Sequence, residues 1–292
     1  MVHSNVYQEL ISLAHAKILT SQCRQCAECK FKSENRCQGC WNCLNHIHFS
    51  SDSKYDGRSD YECPNIVNCY VYNYLNVYAS EIFHLLDAID LGNYNNFSSF
   101  SSYNILSLGC GPCPDLVAFD SYNEKTSPKR NISYVGVDIN PYWKVYQDKV
   151  KELLINSFNV QFENRDAVAI TELLRQNENI NIIIVHNLIS FLYAHDRSKI
   201  ESLFNCLQDF IKNKTSFLLI INDVNSCYCG RDDIEKFCKQ LNSIREELVI
   251  KKYCFGENLY VSDAIQHKNS NLVFGSNNGT INNKIIQYVI GI

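Results

Sequence analysis

From residue 105 onward, short apolar runs alternate with amphipathic stretches. Runs such as NIIIVHNL and SFLLIIN are rich in aliphatic residues, which is typical of strands buried on both faces of a parallel sheet. The stretches between them have the apolar spacing of helices. This alternation predicts an α/β fold with a doubly wound sheet. We expect strands near 104–109, 132–138, 158–163, 180–186, 216–223, 249–256 and 284–291, and helices near 114–122, 141–155, 167–176, 197–213 and 231–246.

Two further helices are predicted before the sheet. Apolar residues recur at near-helical spacing within residues 1–20, which indicates an amphipathic helix. The pattern is helical again from Val71 to Leu91, and Gly92 follows it as a C-cap. Between these helices, residues 21–70 are rich in cysteine and poor in aliphatic side chains. We therefore expect this segment to need a stabilising element other than a hydrophobic core.

Composition and charge narrow the class of protein. The chain has 292 residues, with 46% hydrophobic and 20% charged residues, which is ordinary for a globular protein. A net charge of −4 and a pI near 6.1 give no overall basic surface, so bulk charge does not indicate a nucleic-acid partner. The N-terminal sequence does not read as a signal peptide, and no apolar run reaches the roughly 18 residues of a membrane span. We expect a cytoplasmic protein whose cysteines are reduced or metal-bound.

The most informative motif follows the first predicted strand, where the chain reads ILSLGCGPCPD. Gly109 and Gly111 allow a sharp turn and a close approach of the backbone to a ligand. The second predicted strand ends on Asp138, whose carboxylate can accept hydrogen bonds from two ribose hydroxyls. Ligands of doubly wound sheets bind outside the carboxyl ends of the strands, so this layout predicts a nucleoside cofactor.

The residues around the turn discriminate between three cofactor classes. A P-loop requires Gly-Lys-Ser/Thr, which the chain lacks. A dinucleotide site requires a third glycine where Pro114 stands, and proline removes an N–H donor from that position. S-adenosylmethionine has no phosphates and requires only a tight glycine turn and a carboxylate for its ribose. A glycine turn in an unrelated α/β domain is the remaining alternative.

The segment resembles the glycine motif of class I S-adenosylmethionine-dependent methyltransferases. It departs from that motif at Ser107, where the family often has an acid, and at Cys113, where it often has a last glycine. The resemblance covers roughly residues 76–292. It implies an α/β fold with a doubly wound, seven-stranded, mostly parallel sheet whose last strand is antiparallel.

Candidate cofactor residues come from the ends of the first four predicted strands. Two of them have competing structural interpretations: Asp115 as a carboxylate in the first turn of a helix, and Asp166 as a helix N-cap. The full set of candidates is Gly109, Cys110, Gly111, Asp115, Asp138, Ile139, Asn140, Asp166, Ala167 and His186.

The segment HNLISFLYAHD ends the fourth strand and, by the resemblance, faces both cofactor and substrate. Its candidate catalytic residues are His186, Asn187 and Tyr193, although a lone histidine on a strand is more often structural. The segment contains neither Asn-Pro-Pro-Tyr nor Pro-Cys, so it does not resemble the nucleic-acid methyltransferases that carry those motifs. Asp223 and Asn225 end the fifth strand, either lining the substrate mouth or stabilising a loop.

The cysteine-rich segment has the spacing of a metal site. Cys-x2-Cys pairs bring two sulfurs to one metal, and tetrahedral zinc takes four such ligands. Eight cysteines would therefore hold two zinc ions, with His46 and His48 as possible substitutes; an iron–sulfur cluster is the alternative. The candidate metal ligands are Cys23, Cys26, Cys29, Cys37, Cys40, Cys43, Cys63 and Cys69.

Together these features predict two domains, a helix and metal-binding module over 1–75 and a cofactor-binding methyltransferase domain over 76–292. We expect methyl transfer to RNA or another macromolecule, because aromatic residues between the cysteines could stack bases. The alternatives are a small-molecule methyltransferase, favoured by the acidic charge balance, and a non-catalytic binding protein with the same fold.

Overall fold

The computed structural model describes residues 4–20, 38–48, 61–92, 94–212, 214–256, 261, 263–275, 279–281 and 284–292. Four of the predicted metal ligands lie outside these residues: Cys23, Cys26, Cys29 and Cys37. None of the helices in the described ranges combines the length and the hydrophobicity needed to cross a membrane.

Three helices precede the sheet: α1 (Asn5–Thr20), α2 (Gln38–His48) and α3 (Pro64–Leu91). Helix α3 begins seven residues earlier than its apolar pattern predicts. Cys63 is the extended N-cap residue, and Pro64 occupies the first turn, where its missing N–H has no partner to lose. The helix runs without a break through residues 75 and 76, where the sequence predicts a domain boundary.

The seven predicted strands are confirmed, with ends shifted by at most two residues. They are β1 (Ser102–Leu108), β2 (Asn131–Asp138), β3 (Asn159–Asn164), β4 (Ile182–His186), β5 (Leu218–Val224), β6 (Val249–Cys254) and β8 (Ile285–Gly291). An eighth strand, β7 (Ile265–Gln266), has only two residues and lies in a segment predicted as a loop.

The sheet order is β3-β2-β1-β4-β5-β8-β6-β7. Strands β1 to β5 pair in parallel, whereas β8 pairs antiparallel with both β5 and β6. The sheet is therefore mixed and eight-stranded rather than seven-stranded, which corrects the predicted strand count. The antiparallel last strand is as predicted.

Helices between the strands cover both faces. They are α4 (Pro114–Lys125), α5 (Lys144–Leu154), α6 (Thr171–Gln176), α7 (Ile189–His195), α8 (Ser198–Lys212) and α9 (Arg231–Ile244). Helix α7 was not predicted, because it follows β4 after only two residues and its seven residues are too few to show a helical period. Helix α6 begins four residues later than predicted, since residues 167–168 form a turn and residues 169–170 are irregular.

Alternate residues of each strand pack on opposite faces, as expected from the period of two in a strand. On β1, Tyr103 and Ile105 belong to the core beneath α1, α3, α4 and α5. Leu106 and Leu108 belong to the core beneath α6, α7, α8 and α9. Two helical layers around a central sheet confirm the doubly wound α/β architecture.

Candidate active site

The strand order reverses between β1 and β4, and this switch point opens a crevice at the carboxyl ends of the strands. The glycine turn begins there. Gly109 and Gly111 have φ angles of 69° and 49°, in the left-handed region that glycine adopts without strain. The N–H groups of Gly109 and Cys110 both donate to the carbonyl oxygen of Val137, at 2.9 and 3.1 Å. These bonds hold the turn against the end of β2.

Asp138 joins the end of β2 to the same turn. Its Oδ2 accepts the N–H of Gly111 at 2.9 Å, and its Oδ1 accepts the N–H of Asn140 at 2.9 Å. The side chain is only partly exposed, and burial raises the pKa of Asp138 to about 6. A carboxylate that is desolvated and yet keeps some exposed surface lies in a recess rather than on an open face.

Cys113 occupies the position where a last glycine is common in the resembled motif. Its φ of 63° is left-handed, and its side chain is buried before Pro114, the first residue of α4. Left-handed backbone is costly for a residue with a Cβ, which gives a physical reason for glycine at this position. The turn forms in this chain with cysteine in its place.

Ile139 and Asn140 follow Asp138 along the crevice. Ile139 is 60% exposed, so an apolar surface is available for a flat ligand beside the carboxylate. The Nδ2 of Asn140 donates to the carbonyl oxygen of Tyr61 at 3.0 Å. The ring of Tyr61 contacts Trp143 and Phe191, at centroid distances of 6.2 and 6.0 Å. Tyr61, three residues before the start of α3, therefore borders the crevice at this edge of the sheet.

Asp115 lies in the first turn of α4, and its carboxylate is buried. The hydroxyl of Tyr134 donates to both carboxylate oxygens at 3.2 Å, and burial raises the pKa of Asp115. These contacts place the side chain in the interior beneath α4.

Asp166 and Ala167 lie in the turn after β3. The Oδ1 of Asp166 accepts the N–H of Val168 at 3.1 Å, and its Oδ2 is 2.7 Å from the Nζ of Lys199. Because α6 begins at Thr171, Asp166 is not the N-cap of that helix. Ala167 is buried and belongs to the core on the α6–α9 face.

His186, the last residue of β4, and Asn187, which follows it, have side-chain nitrogens that make no hydrogen bond to any described residue. His186 is 7% exposed, and neither ring nitrogen has a hydrogen-bond partner among the described residues. Asn187 has a φ of 51°, and its buried Nδ2 is also without a partner in that part of the chain. Buried polar atoms are normally satisfied, so these atoms indicate a place for a ligand.

Tyr193 and Asp223 have structural contacts. The ring of Tyr193 lies 4.5 Å from the guanidinium carbon of Arg197, whereas the tyrosine ring that contacts His186 is that of Tyr78. Asp223 is buried, and its Oδ2 accepts the N–H of Ile189 at 2.8 Å, at the start of α7. Burial raises the pKa of Asp223.

Sequence reasoning missed the residues that α3 contributes. The Oε2 of Glu81 lies 3.5 Å from the Nε2 of His186, and Glu81 is 1% exposed. The ring centroid of Tyr78 lies 5.4 Å from that of His186. An acid inside the apolar stretch SEIFHLL was the available signal, but its partner on a distant strand could not be read from spacing.

The described cysteines of the N-terminal segment lie together. Cys40 and Cys43 on α2 share one buried cluster with Cys63 and Cys69 of α3. Within the residues that the structure describes, no group of three or more Cys, His, Asp or Glu side chains is arranged to hold a metal. The four predicted ligands that the structure describes therefore do not show a site for zinc or for an iron–sulfur cluster.

Comparison with known proteins gives weak likenesses of fold. No protein-family model matches the sequence, and a search of curated proteins finds no significant match. A class I S-adenosylmethionine-dependent methyltransferase of Listeria monocytogenes, described as putative, is 11% identical over 98% of this chain and 87% of its own, with a TM-score of 0.49. A putative rRNA methylase of Clostridium thermocellum is 10% identical over 69% and 94%, with a TM-score of 0.39. The human methyltransferase 10 domain containing protein is 10% identical over 74% and 80%, with a TM-score of 0.41. Likenesses at these identities and TM-scores do not show what this chain does.

Proposed function

We propose that this chain is an S-adenosylmethionine-dependent methyltransferase. The observation that carries the proposal is the contact of Asp138 with Gly111 at the switch point of the sheet. It joins a left-handed glycine turn after β1 to a desolvated carboxylate at the end of β2. A nucleoside without phosphates requires these two groups side by side, and the Pro114 position disfavours a pyrophosphate.

The residues present fit the cofactor in hydrogen-bonding capacity. An ionised carboxylate has about four acceptor sites, and the N–H groups of Gly111 and Asn140 use two of those on Asp138. The remaining two match the two hydroxyls of a ribose. At the other side of the crevice, the nitrogens of His186 and the Nδ2 of Asn187 make no hydrogen bond within the described residues.

We assign the other candidate residues by their position around this contact. Gly109, Cys110 and Gly111 would supply backbone beside the methionine part, and Ile139 and Asn140 would border the adenine. Asp166 lies in the next turn and would close the adenine end with the backbone of Ala167, whose side chain is in the core. We propose that Asp115 supports the turn from beneath through Tyr134 instead of touching the cofactor.

Little covalent chemistry is required of the protein. The bound cofactor supplies an electrophilic methyl group on a sulfonium. The chain must hold the acceptor in line with that methyl group and exclude water, which is the part that Tyr61 and α3 would play at the crevice. A base is needed only for an acceptor that arrives protonated, and His186 is the candidate.

RNA or another macromolecule is the acceptor that the sequence favours, with a small molecule as the alternative. The described crevice supports the small molecule. Asp138 and Glu81 have no Lys or Arg partner among the described residues, and Lys199 is neutralised by Asp166. Neither carboxylate brings a lysine or arginine with it, so the described crevice lacks the cationic surface that attracts a phosphate backbone.

We also propose that the N-terminal cysteines bind metal, as two four-coordinate zinc ions with an iron–sulfur cluster as the alternative. The supporting observation is that four of the eight predicted ligands share one buried cluster. Metal ligation would stabilise a segment that has few aliphatic residues of its own.

Isothermal titration calorimetry tests the central proposal. We expect S-adenosylmethionine and its demethylated product S-adenosylhomocysteine to bind with one site per chain. Absence of binding of both compounds at high micromolar concentration would exclude the methyltransferase function. Binding without methyl transfer to any of a broad set of RNA and small-molecule acceptors would favour the non-catalytic alternative.

A further inference from the structure

A row of polar side chains crosses the sheet beneath α3, on a face that is mostly apolar. His186, Asn222 and Gln287 are register neighbours on β4, β5 and β8. The Nδ2 of Asn222 donates to the Oε2 of Glu81 at 2.7 Å, and the Nε2 of Gln287 donates to the Oδ1 of Asn222 at 2.7 Å. All four side chains are less than 9% exposed. The row therefore fixes the carboxylate of Glu81 from one side.

His267 sets the direction of this row. The Nε2 of Gln287 also donates to the carbonyl oxygen of Glu81 at 3.0 Å, so the Oε1 of Gln287 is its only remaining acceptor. That oxygen lies 2.6 Å from the Nε2 of His267, which must therefore carry the proton. Burial lowers the pKa of His267 to about 4, so the imidazole is neutral. Each donor in the row points toward Glu81, which is the final acceptor.

The charge of Glu81 is not balanced by a lysine or arginine within the part of the chain that the structure describes. The Nε2 of His186 lies 3.5 Å from the Oε2 of Glu81, which is too long for a good hydrogen bond. A buried carboxylate with one neutral donor is costly, and so are two unpartnered ring nitrogens on a 7% exposed histidine. A ligand that carries positive charge and N–H donors would balance the carboxylate and satisfy the ring nitrogen of His186 that carries no proton.

Aromatic rings on α3 border the same place. Tyr70, Tyr74 and Tyr78 lie on successive turns, with ring centroids 5.5 and 5.6 Å apart, and Tyr78 meets His186 edge to face at 5.4 Å. Each tyrosine keeps some exposed surface, although burial raises the pKa of Tyr70 and of Tyr78 well above 10. These rings thus form a partly exposed aromatic surface beside His186. Aromatic faces attract organic cations.

We propose that the methyl acceptor is a small organic amine, bound as its ammonium ion between Glu81 and the ring of Tyr78. This inference rests on the proposed methyltransferase function and names its substrate class. Glu81 acts as the counter-ion, the row from His267 positions it, and His186 accepts the proton. In the transfer, the amine loses one proton to a ring nitrogen of His186. Its lone pair then forms the new carbon–nitrogen bond, and the carbon–sulfur bond of the sulfonium breaks with its electron pair left on sulfur.

Binding of two probes of nearly equal shape tests the proposal without an activity assay. Benzylamine is an ammonium ion at pH 7.5, whereas benzyl alcohol is neutral. With S-adenosylhomocysteine present, ligand-observed NMR titration is expected to show benzylamine binding about tenfold more tightly than benzyl alcohol, as expected for a desolvated cation site. In Glu81→Gln this preference is expected to vanish. Asp148→Asn, which removes an exposed acid on α5, is expected to keep it.

A second pair of variants covers the case in which Glu81→Gln does not fold. Tyr78→Leu removes the ring and is expected to lower the preference severalfold, while Tyr78→Phe keeps the ring and the preference. Equal binding of both probes to the wild type would overturn the amine proposal. It would also be overturned if benzylamine bound Glu81→Gln as well as wild type and single-stranded RNA displaced it from that site. Calorimetry with S-adenosylhomocysteine alone separates this failure from failure of the methyltransferase function.

Discussion

The Oδ2 of Asp138 accepts the backbone N–H of Gly111 at 2.9 Å, which ties the end of β2 to the turn that follows β1. The second oxygen accepts the N–H of Asn140 at 2.9 Å, so the carboxylate has one orientation before any ligand arrives. A preorganised acceptor loses less entropy on binding than a mobile one.

Cofactor affinity should fall when Asp138 is protonated. Burial raises its pKa to about 6, so the ionised fraction falls as the pH decreases through that value. The Kd of S-adenosylhomocysteine is expected to be about tenfold higher at pH 5 than at pH 7.5, since the ionised fraction is about one tenth at one pH unit below the pKa. Calorimetry at the two pH values measures this change. In Asp138→Asn the affinity should be weak at both, and an unchanged pH dependence in that variant would assign the titration to another group.

Asp115 should make the protein less stable as the pH rises. Burial raises its pKa above 3.8, so the folded state holds the proton more tightly than the unfolded state. The stabilisation is present at low pH and is lost as the pH rises through the folded pKa. Asp115→Asn keeps an acceptor for Tyr134 and has no charge to desolvate. Urea unfolding should show the variant gaining stability over wild type between pH 4.5 and pH 8; a constant difference would contradict the burial of a titrating carboxylate.

Gly136 on β2 is closely packed against the side chains of Phe162 and Cys110. A Cβ at this position would lie 2.8 Å from the Cδ1 of Phe162 and 2.9 Å from the Sγ of Cys110. We expect Gly136→Ala to lower the free energy of unfolding by about 1–3 kcal/mol, the usual cost of overpacking. The control is Ser133→Ala on the same strand, which should change it by less than about 0.5 kcal/mol. A similarly small effect of Gly136→Ala in urea unfolding would show that the packing is looser.

Elemental analysis tests the metal proposal. Eight thiolates at four per ion predict about two zinc ions per chain. Chelation is expected to open protease sites within residues 21–70 before the rest of the chain, and added zinc should close them again. Iron together with an equal amount of acid-labile sulfide would indicate an iron–sulfur cluster instead of zinc. A chain purified without bound metal would contradict the metal proposal.

The parallel core of the fold was accessible from the sequence because buried strands are continuous apolar runs. Strand β4 and strand β5 were therefore located within two residues. Strand β7 was missed because two residues carry no periodic signal. Helix α7 was missed because tertiary packing, rather than a change of periodicity in the sequence, ends β4 and begins the helix. The early start of α3 was hidden in a cysteine-rich stretch that has little helical periodicity.

Candidate site residues could be predicted from the sequence only where the end of a single strand determines where the residue lies. Gly109, Gly111 and Asp138 meet as the doubly wound topology requires. The pairing of Glu81 with His186 joins residues 105 positions apart in the sequence, which no spacing rule connects. Asn222 and Gln287 stood out only as polar residues in apolar strands, and their common row appears once the register is known. Long-range side-chain contacts therefore complete the site that short-range motifs locate.

Calorimetric titration of S-adenosylhomocysteine into wild type, Asp138→Ala and the control Asp148→Ala tests the account most directly. The carboxylate would give charge-assisted hydrogen bonds to the ribose, each worth about 1.5–3 kcal/mol. We predict one site per chain in the wild type and in Asp148→Ala, with affinity at least about tenfold weaker in Asp138→Ala. Equal affinity in all three folded proteins would contradict the assignment of the crevice beside Gly111 as the cofactor site.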